Sequence, residues 1–238
     1  MNHSEWENFW KDQRQSFQVV MQISTAFFAS RLEALSLLKS GDTILDYGCG
    51  PGFLSDYFAR RGMHITGADI NDFFIAESKK KHPQSSFILI SPIPKENEKI
   101  LKDQLQDKKF DTVILLSIVQ YFKDEQTLSQ TIAILKPYLS DSGKIIIADV
   151  IDKDTSSVRD ALAVFRLCIL KNKTLAFAKF VFYLLFSNYR DLSKKVKLLM
   201  ISESSITQIA AANGMTSEQV SDLTPHPTRT NYILKKGI

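Results

Sequence analysis

Apolar residues recur at intervals of three to five over residues 17–39 (Phe17, Val20, Ile23, Phe27, Leu32, Leu35, Leu38), which predicts amphipathic helices. The pattern then changes. Residues 43–47 form a short apolar run ending in a glycine-rich turn, the mark of a buried strand. Residues 54–61 predict a helix that Gly62 stops. The alternation repeats, with strands at 64–68, 87–90, 112–116 and 144–150 and helices at 73–81 and 128–139. A helix at 205–213, stopped by Gly214, and a strand at 230–234 close the chain. Strands alternating with helices imply right-handed crossovers and a mostly parallel sheet covered on both faces.

Composition narrows the class. The chain has 238 residues, 44% hydrophobic and 24% charged, which suits one globular domain with an insertion and excludes a disordered or collagen-like chain. Two cysteines, Cys49 and Cys168, and four scattered histidines argue against a disulfide scaffold and a metal cluster. The residues at 1–7 lack a basic stretch and an apolar core, so no secretory signal is expected there and the cytoplasm is the default compartment. The longest apolar stretch, 175–186, is interrupted by Lys179 and is too short to span a bilayer.

The segment Asp46-Tyr47-Gly48-Cys49-Gly50-Pro51-Gly52 leaves a strand and opens a helix. Glycines there permit a tight turn and let a ligand approach the backbone. Asp69 ends the next strand, where a carboxylate can accept from both hydroxyls of a ribose. A dinucleotide fingerprint wants a third glycine where this chain has Phe53. Asp46 beside the turn would repel a pyrophosphate and attract an ammonium. These residues favour S-adenosylmethionine over NAD.

Residues 44–52 (ILDYGCGPG) resemble motif I of the class I S-adenosylmethionine-dependent methyltransferases. Residues 65–70, 110–122 and 135–147 are similar to that superfamily's next strand, its fourth-strand motif, and the helix and strand that follow. The resemblance implies an α/β fold: a doubly wound, mostly parallel seven-stranded sheet whose last strand is antiparallel, with N-terminal helices and a helical cap insertion. It also implies roles. Gly48 and Gly50, with the backbone of Tyr47 and Cys49, would hold the methionine part. Asp46 would lie near its amino end, and Asp69 would bind the ribose. Ile70 would pack on adenine, and Ser117 and Val119 would flank the methionine and the methyl. The acid that the family often places after strand three is missing; Ser91-Pro92 stands there.

The sulfonium is an activated donor, so the protein must mainly align and desolvate, and a base is needed only where the nucleophile loses a proton. Gln120 and Tyr121 after strand four, and His226 in the stiff loop 224–227, are the catalytic candidates; Asp149 at the end of strand five could orient substrate or cap a loop. Trp6, Trp10 and Tyr189 are candidates to close over the site. No metal is expected.

Residues 159–200 carry nine basic residues against Asp160 and Asp191, a net +7 when the whole chain carries +4. The stretch is also rich in phenylalanine. It reads as a helical cap packed on the core or on a second subunit of a homodimer. Alternatively it is a basic, amphipathic element that touches a membrane surface from the cytoplasmic side or admits a lipid-like substrate. No nucleic-acid partner is expected, because the basic residues alternate with phenylalanines and no known module is present. The chain thus divides into N-terminal helices covering the cofactor site (1–40), a cofactor-binding core (41–155), the cap insertion (156–204), and a C-terminal helix and strands completing the core (205–238). The expected activity is methyl transfer to a small or lipid-like hydroxyl or amine. The rivals are another transferase or cyclase on the same cofactor, and a membrane- or partner-docking module with a vestigial site.

Overall fold

The computed structural model describes residues 15–186 and 198–237. The expectations placed on Trp6, Trp10 and Tyr189 lie outside them. Helix α1 (Gln15–Ala34) precedes the sheet. Then come β1 (Thr43–Tyr47), α2 (Phe53–Ala59), β2 (His64–Asp69), α3 (Asp72–Lys81), β3 (Ser86–Leu89), α4 (Pro94–Leu105) and β4 (Phe110–Leu116). After a 3₁₀ turn at Val119–Tyr121 follow α5 (Glu125–Leu135), β5 (Leu139–Val150), α6 (Ser157–Leu170) and α7 (Thr174–Phe186). Helix α8 (Glu203–Ala212), β6 (Met215–Gln219) and β7 (Thr230–Lys236) complete the order.

The seven strands lie in the order β3-β2-β1-β4-β5-β7-β6. Strands β1 to β5 pair in parallel, and β7 runs antiparallel between β5 and β6, as the expected topology requires. Alternation along each strand sorts the core into two layers. Leu45, Val113, Leu115, Ile145 and Ile147 face α4, α5 and α8. Ile44, Ile114, Ile146 and Ala148 face α1 and α2, where Phe28, Leu32 and Phe58 are fully buried. Caps set the helix starts. The side chain of Asn71 accepts from the Phe73 and Phe74 amides, and that of Asp124 from Thr127 N at 2.8 Å.

Two elements carry too little pattern to be read from the chain. Helix α4 buries only Asn97, Leu101 and Leu105, so its apolar stripe is narrow. Strand β6 buries Met215 alone. The fifth strand begins at Leu139 rather than Lys144, because α5 stops at Leu135 and a 3₁₀ turn over Lys136–Tyr138 leads straight into it.

Candidate functional site

The glycine turn leads from β1 into α2 and is held against β2. Gly48 N and Cys49 N both donate to the carbonyl of Ala68, at 2.7 and 3.0 Å. Gly48 and Gly50 sit at φ +88° and +49°, a region that penalises any Cβ. A Cβ on Gly50 would meet nothing within 4 Å, so this backbone fronts open space. Asp69 is 9% exposed; its two oxygens accept from Gly50 N and Asn71 N, each at 2.8 Å. The acid therefore holds the turn in place and presents its remaining lone pairs at the end of β2.

Asp46 lies behind the turn, 2% exposed. Burial, and secondarily the negative Asp69, push its carboxyl up to about 8. Burial likewise raises the Cys49 thiol, with Asp69 and Asp46 adding to it, so this thiol is no nucleophile at neutral pH. Asn97, on the helix the sequence did not reveal, donates to the Tyr47 hydroxyl at 3.0 Å and to Ser91 O at 2.8 Å. It also accepts from Ser91 N at 2.6 Å, which pins the Ser91-Pro92 loop to β1. The Ser91 hydroxyl donates to Glu96 at 2.6 Å.

A second cluster gathers where β4 and β5 end and β7 begins. Ser117 (φ +56°) and Asp149 (φ +68°) both hold left-handed backbone, strain that active sites tolerate. Ser117 Oγ donates to Asp149 Oδ2 at 2.6 Å. His226 Nδ1 lies 2.6 Å from Asp149 Oδ1, and Arg229 Nη1 lies 2.8 Å from Asp149 Oδ2. Burial alone would raise the Asp149 carboxyl, yet the charges of Arg229 and His226, with their hydrogen bonds, outweigh it and hold the group well below the usual carboxylate range. Arg229 Nε reaches onward to Asp160 Oδ2 on α6 at 3.1 Å. The other oxygen of Asp160 accepts from Thr228 N and Thr228 Oγ1, at 3.1 and 2.8 Å.

Both clusters open on one cavity of about 550 Å³. Tyr47, Gly48, Gly50, Asp69, Ile70, Ser91, Pro92, Ser117, Gln120, Tyr121 and His226, all expected site residues, line it. Asp46, Cys49 and Val119 sit behind the lining rather than on it. Val20 and Phe28 from α1, Val164 from α6, and Phe177 and Phe180 from α7 supply an apolar wall. Asn71, Asp160, Thr224 and Arg229 also line the cavity, and sequence reasoning assigned none of them to the site. Asp160 entered only as a charge in the insertion, and Arg229 carried no motif. Among the described residues no three His, Cys, Asp or Glu gather as a metal site.

The chemistry of the lining can be compared with the expected cofactor. Among the described lining residues Arg229 is the only Lys or Arg, and both its contacts are carboxylates. A phosphate would find no unpaired cation among these residues, whereas a ribose would meet Asp69, and a cation beside the turn would draw the buried Asp46 carboxyl towards its ionised form. Asn71 Nδ2, Gln120 Oε1 and Thr224 Oγ1 are buried on this wall without a partner among the described residues, which buried polar atoms seldom are unless a ligand or water completes them. The residues fit S-adenosylmethionine.

Fold and site together define a class I, S-adenosylmethionine-dependent methyltransferase. The chain belongs to the methyltransferase domain family, whose sequence profile matches residues 38–214. It is similar to the ubiquinone biosynthesis O-methyltransferase of Coxiella burnetii, 24% identical over 199 residues that span 83% of this chain and 74% of that protein. It is 28% identical over 104 residues to an S-adenosyl-L-methionine-dependent Diels-Alderase of Talaromyces variabilis, covering 42% of this chain and 35% of that one. Its fold matches the magnesium protoporphyrin IX methyltransferase of Synechocystis PCC 6803, solved with S-adenosylmethionine, at a TM-score of 0.58 and 18% identity, over 100% of this chain and 92% of that one.

Proposed function

We propose that the protein transfers the methyl group to a hydroxyl of an apolar, lipid-like acceptor, with His226 as general base. The observation that carries this is the 2.6 Å contact of His226 Nδ1 with the buried Asp149, in a ring that lines the cavity. A carboxylate on Nδ1 fixes the tautomer that leaves Nε2 free to accept a proton, and it stabilises the imidazolium that results. Bound S-adenosylmethionine supplies the activated methyl. Gly48, Gly50 and Asp69 would hold it, with Asp46 behind the turn and Ile70, Ser91 and Pro92 around the adenine. Ser117 would face the reacting end. Gln120 Nε2 donates to Ser117 O at 2.7 Å, which leaves Oε1 as an acceptor for a hydroxyl of the bound molecule. The apolar wall of Val20, Phe28, Val164, Phe177 and Phe180 favours a hydrocarbon body, and the O-methyltransferase relatives favour oxygen as the methylated atom. In this reading α1, α6 and α7 cover the core.

The test is an acceptor screen with alkyl-substituted phenols and matched amines, read by product mass and S-adenosylhomocysteine. Hydroxyl acceptors should be methylated. His226→Ala should lower kcat by about 10²- to 10⁴-fold, the usual worth of a general base, without weakening S-adenosylmethionine. Turnover of amines alone, or full activity in His226→Ala, would overturn the reading. Product without S-adenosylhomocysteine would instead mark a ring-forming activity, as the Diels-Alderase relative is named for.

A further inference from the structure

Helices α6 and α7 form a hairpin whose two faces differ sharply. The inward stripe, Asp160, Val164, Phe177 and Phe180, lines the cavity, and Val164, Cys168, Phe177 and Phe180 pack on Val20 and Ile23 of α1. The outward stripe of α6 repeats at helical spacing as Val158, Leu162 and Ile169, which are 71%, 52% and 46% exposed. At the hairpin tip Leu170 and Leu175 are 77% and 68% exposed. Isolated exposed leucines are ordinary, but five large apolar side chains on one outward face are not.

Charge identifies what would cover this face. Between Ser157 and Phe186 the basic residues are Arg159, Arg166, Lys171, Lys173 and Lys179, all exposed. The one acid in that span, Asp160, is buried and spent on Arg229. The outer face is therefore apolar and cationic with no exposed acid. Lys171 and Lys173 stand between the apolar tip residues Leu170 and Leu175. A protein partner could supply an apolar or an acidic surface. A bilayer with anionic headgroups supplies both at the matching depths, hydrocarbon for the leucines and phosphate for the lysines.

We propose that the outer face of the α6–α7 hairpin seats on an anionic lipid surface. The cavity lies directly behind the same two helices, so an acceptor dissolved in the lipid would have to cross only the hairpin to reach His226. This deepens the reading of a lipid-like acceptor, but its test needs neither acceptor nor turnover.

The experiment is co-sedimentation of the full chain with vesicles of phosphatidylcholine, with and without 30% phosphatidylglycerol, at low and high salt. Calorimetric binding of S-adenosylmethionine is the control for a folded site. Wild type should partition at least tenfold more strongly onto the anionic vesicles, and less as salt rises. Each lysine near such a surface is worth roughly a fivefold change in partition, so K171Q/K173Q/K179Q should lower it by about two orders of magnitude. Leu170→Asp with Leu175→Asp should abolish it. Both variants should bind S-adenosylmethionine as wild type does. If one fails to do so, the other decides. Equal partition onto both vesicle types, no partition at all, or unchanged partition in the variants would overturn the proposal. So would concentration-dependent dimerisation by light scattering that Leu170→Asp abolishes, since a second copy would then cover the face. If vesicles bind and hydroxyl acceptors do not turn over, the docking stands and the acceptor reading falls.

Discussion

Arg229 bridges two carboxylates that come from different parts of the fold. Asp149 ends β5 beside His226, and Asp160 lies on helix α6; both are 2% exposed. Arg229→Met keeps much of the apolar stem and removes the charge. Removing one partner of a buried pair costs about 3–5 kcal/mol, because the remaining charge is left uncompensated. The lower end applies here. Asp149 keeps His226 and Ser117, and Asp160 keeps Thr228 N and Oγ1. Urea unfolding at pH 7 should therefore show a loss of about 3 kcal/mol. The pH dependence has a definite sign. Asp149 is ionised in the native protein well below its ordinary range, so its stabilising share is present above the unfolded value and lost only as pH falls through the depressed one. Without Arg229 that depression shrinks, and acid unfolding should begin at higher pH. A loss below 1 kcal/mol with an unmoved onset of acid unfolding would show that Arg229 is a bystander, and the bridging argument would fail.

Two further outcomes test the cofactor end. Asp46 is neutral in the native protein up to about 8 and ionised in the unfolded chain above its model-peptide value near 4. Stability should thus fall by about 1 kcal/mol per pH unit between pH 5 and 8 on account of this group. Asp46→Asn should lose that slope in urea unfolding, and an identical slope in both proteins would refute the buried, proton-bearing carboxyl. Gly48→Ala and Gly50→Ala should separate folding from binding. A Cβ on Gly48 would come within 2.5 Å of Ile118 Cγ2, so that variant should lose more stability than the roughly 1–2 kcal/mol expected from left-handed backbone alone. A Cβ on Gly50 meets no protein atom, so that variant should stay near the strain value and lose S-adenosylmethionine affinity instead, read by calorimetry. Equal effects of the two on both readouts would contradict the geometry.

The cofactor end was legible because its parts are close in the chain. Gly48, Gly50 and Asp69 belong to one strand–turn–helix–strand unit, and parallel pairing of β1 with β2 brings them together directly. Helix α4 hid behind its polar surface, and with it Asn97, the residue that ties Tyr47 to the Ser91-Pro92 loop. The Asp149–His226 end was legible only in part. His226 and Asp149 were visible as separate residues. Their meeting depends on the antiparallel register of β5 and β7, which pairs Val150 with Thr230 and sets Arg229 beside Asp149. No local spacing encodes that register. The same holds for Asp160, whose link to Arg229 depends on how α6 folds back across the strand ends.

The charge balance of this cluster bears on what it does. Asp149 and Asp160 are two carboxylates, and Arg229 supplies one guanidinium. While His226 is neutral, one negative charge is left over in a largely buried place. A proton arriving on His226 cancels it. In the proposed reaction the ring takes the acceptor's proton, and the carboxylate at 2.6 Å is already in position when that charge develops. Because Asp160 belongs to the hairpin that walls the cavity, the electrostatics that favour this state also hold α6 over the site. A change that loosens the hairpin should disturb the Asp149–His226 contact as well, without touching the glycine turn or Asp69.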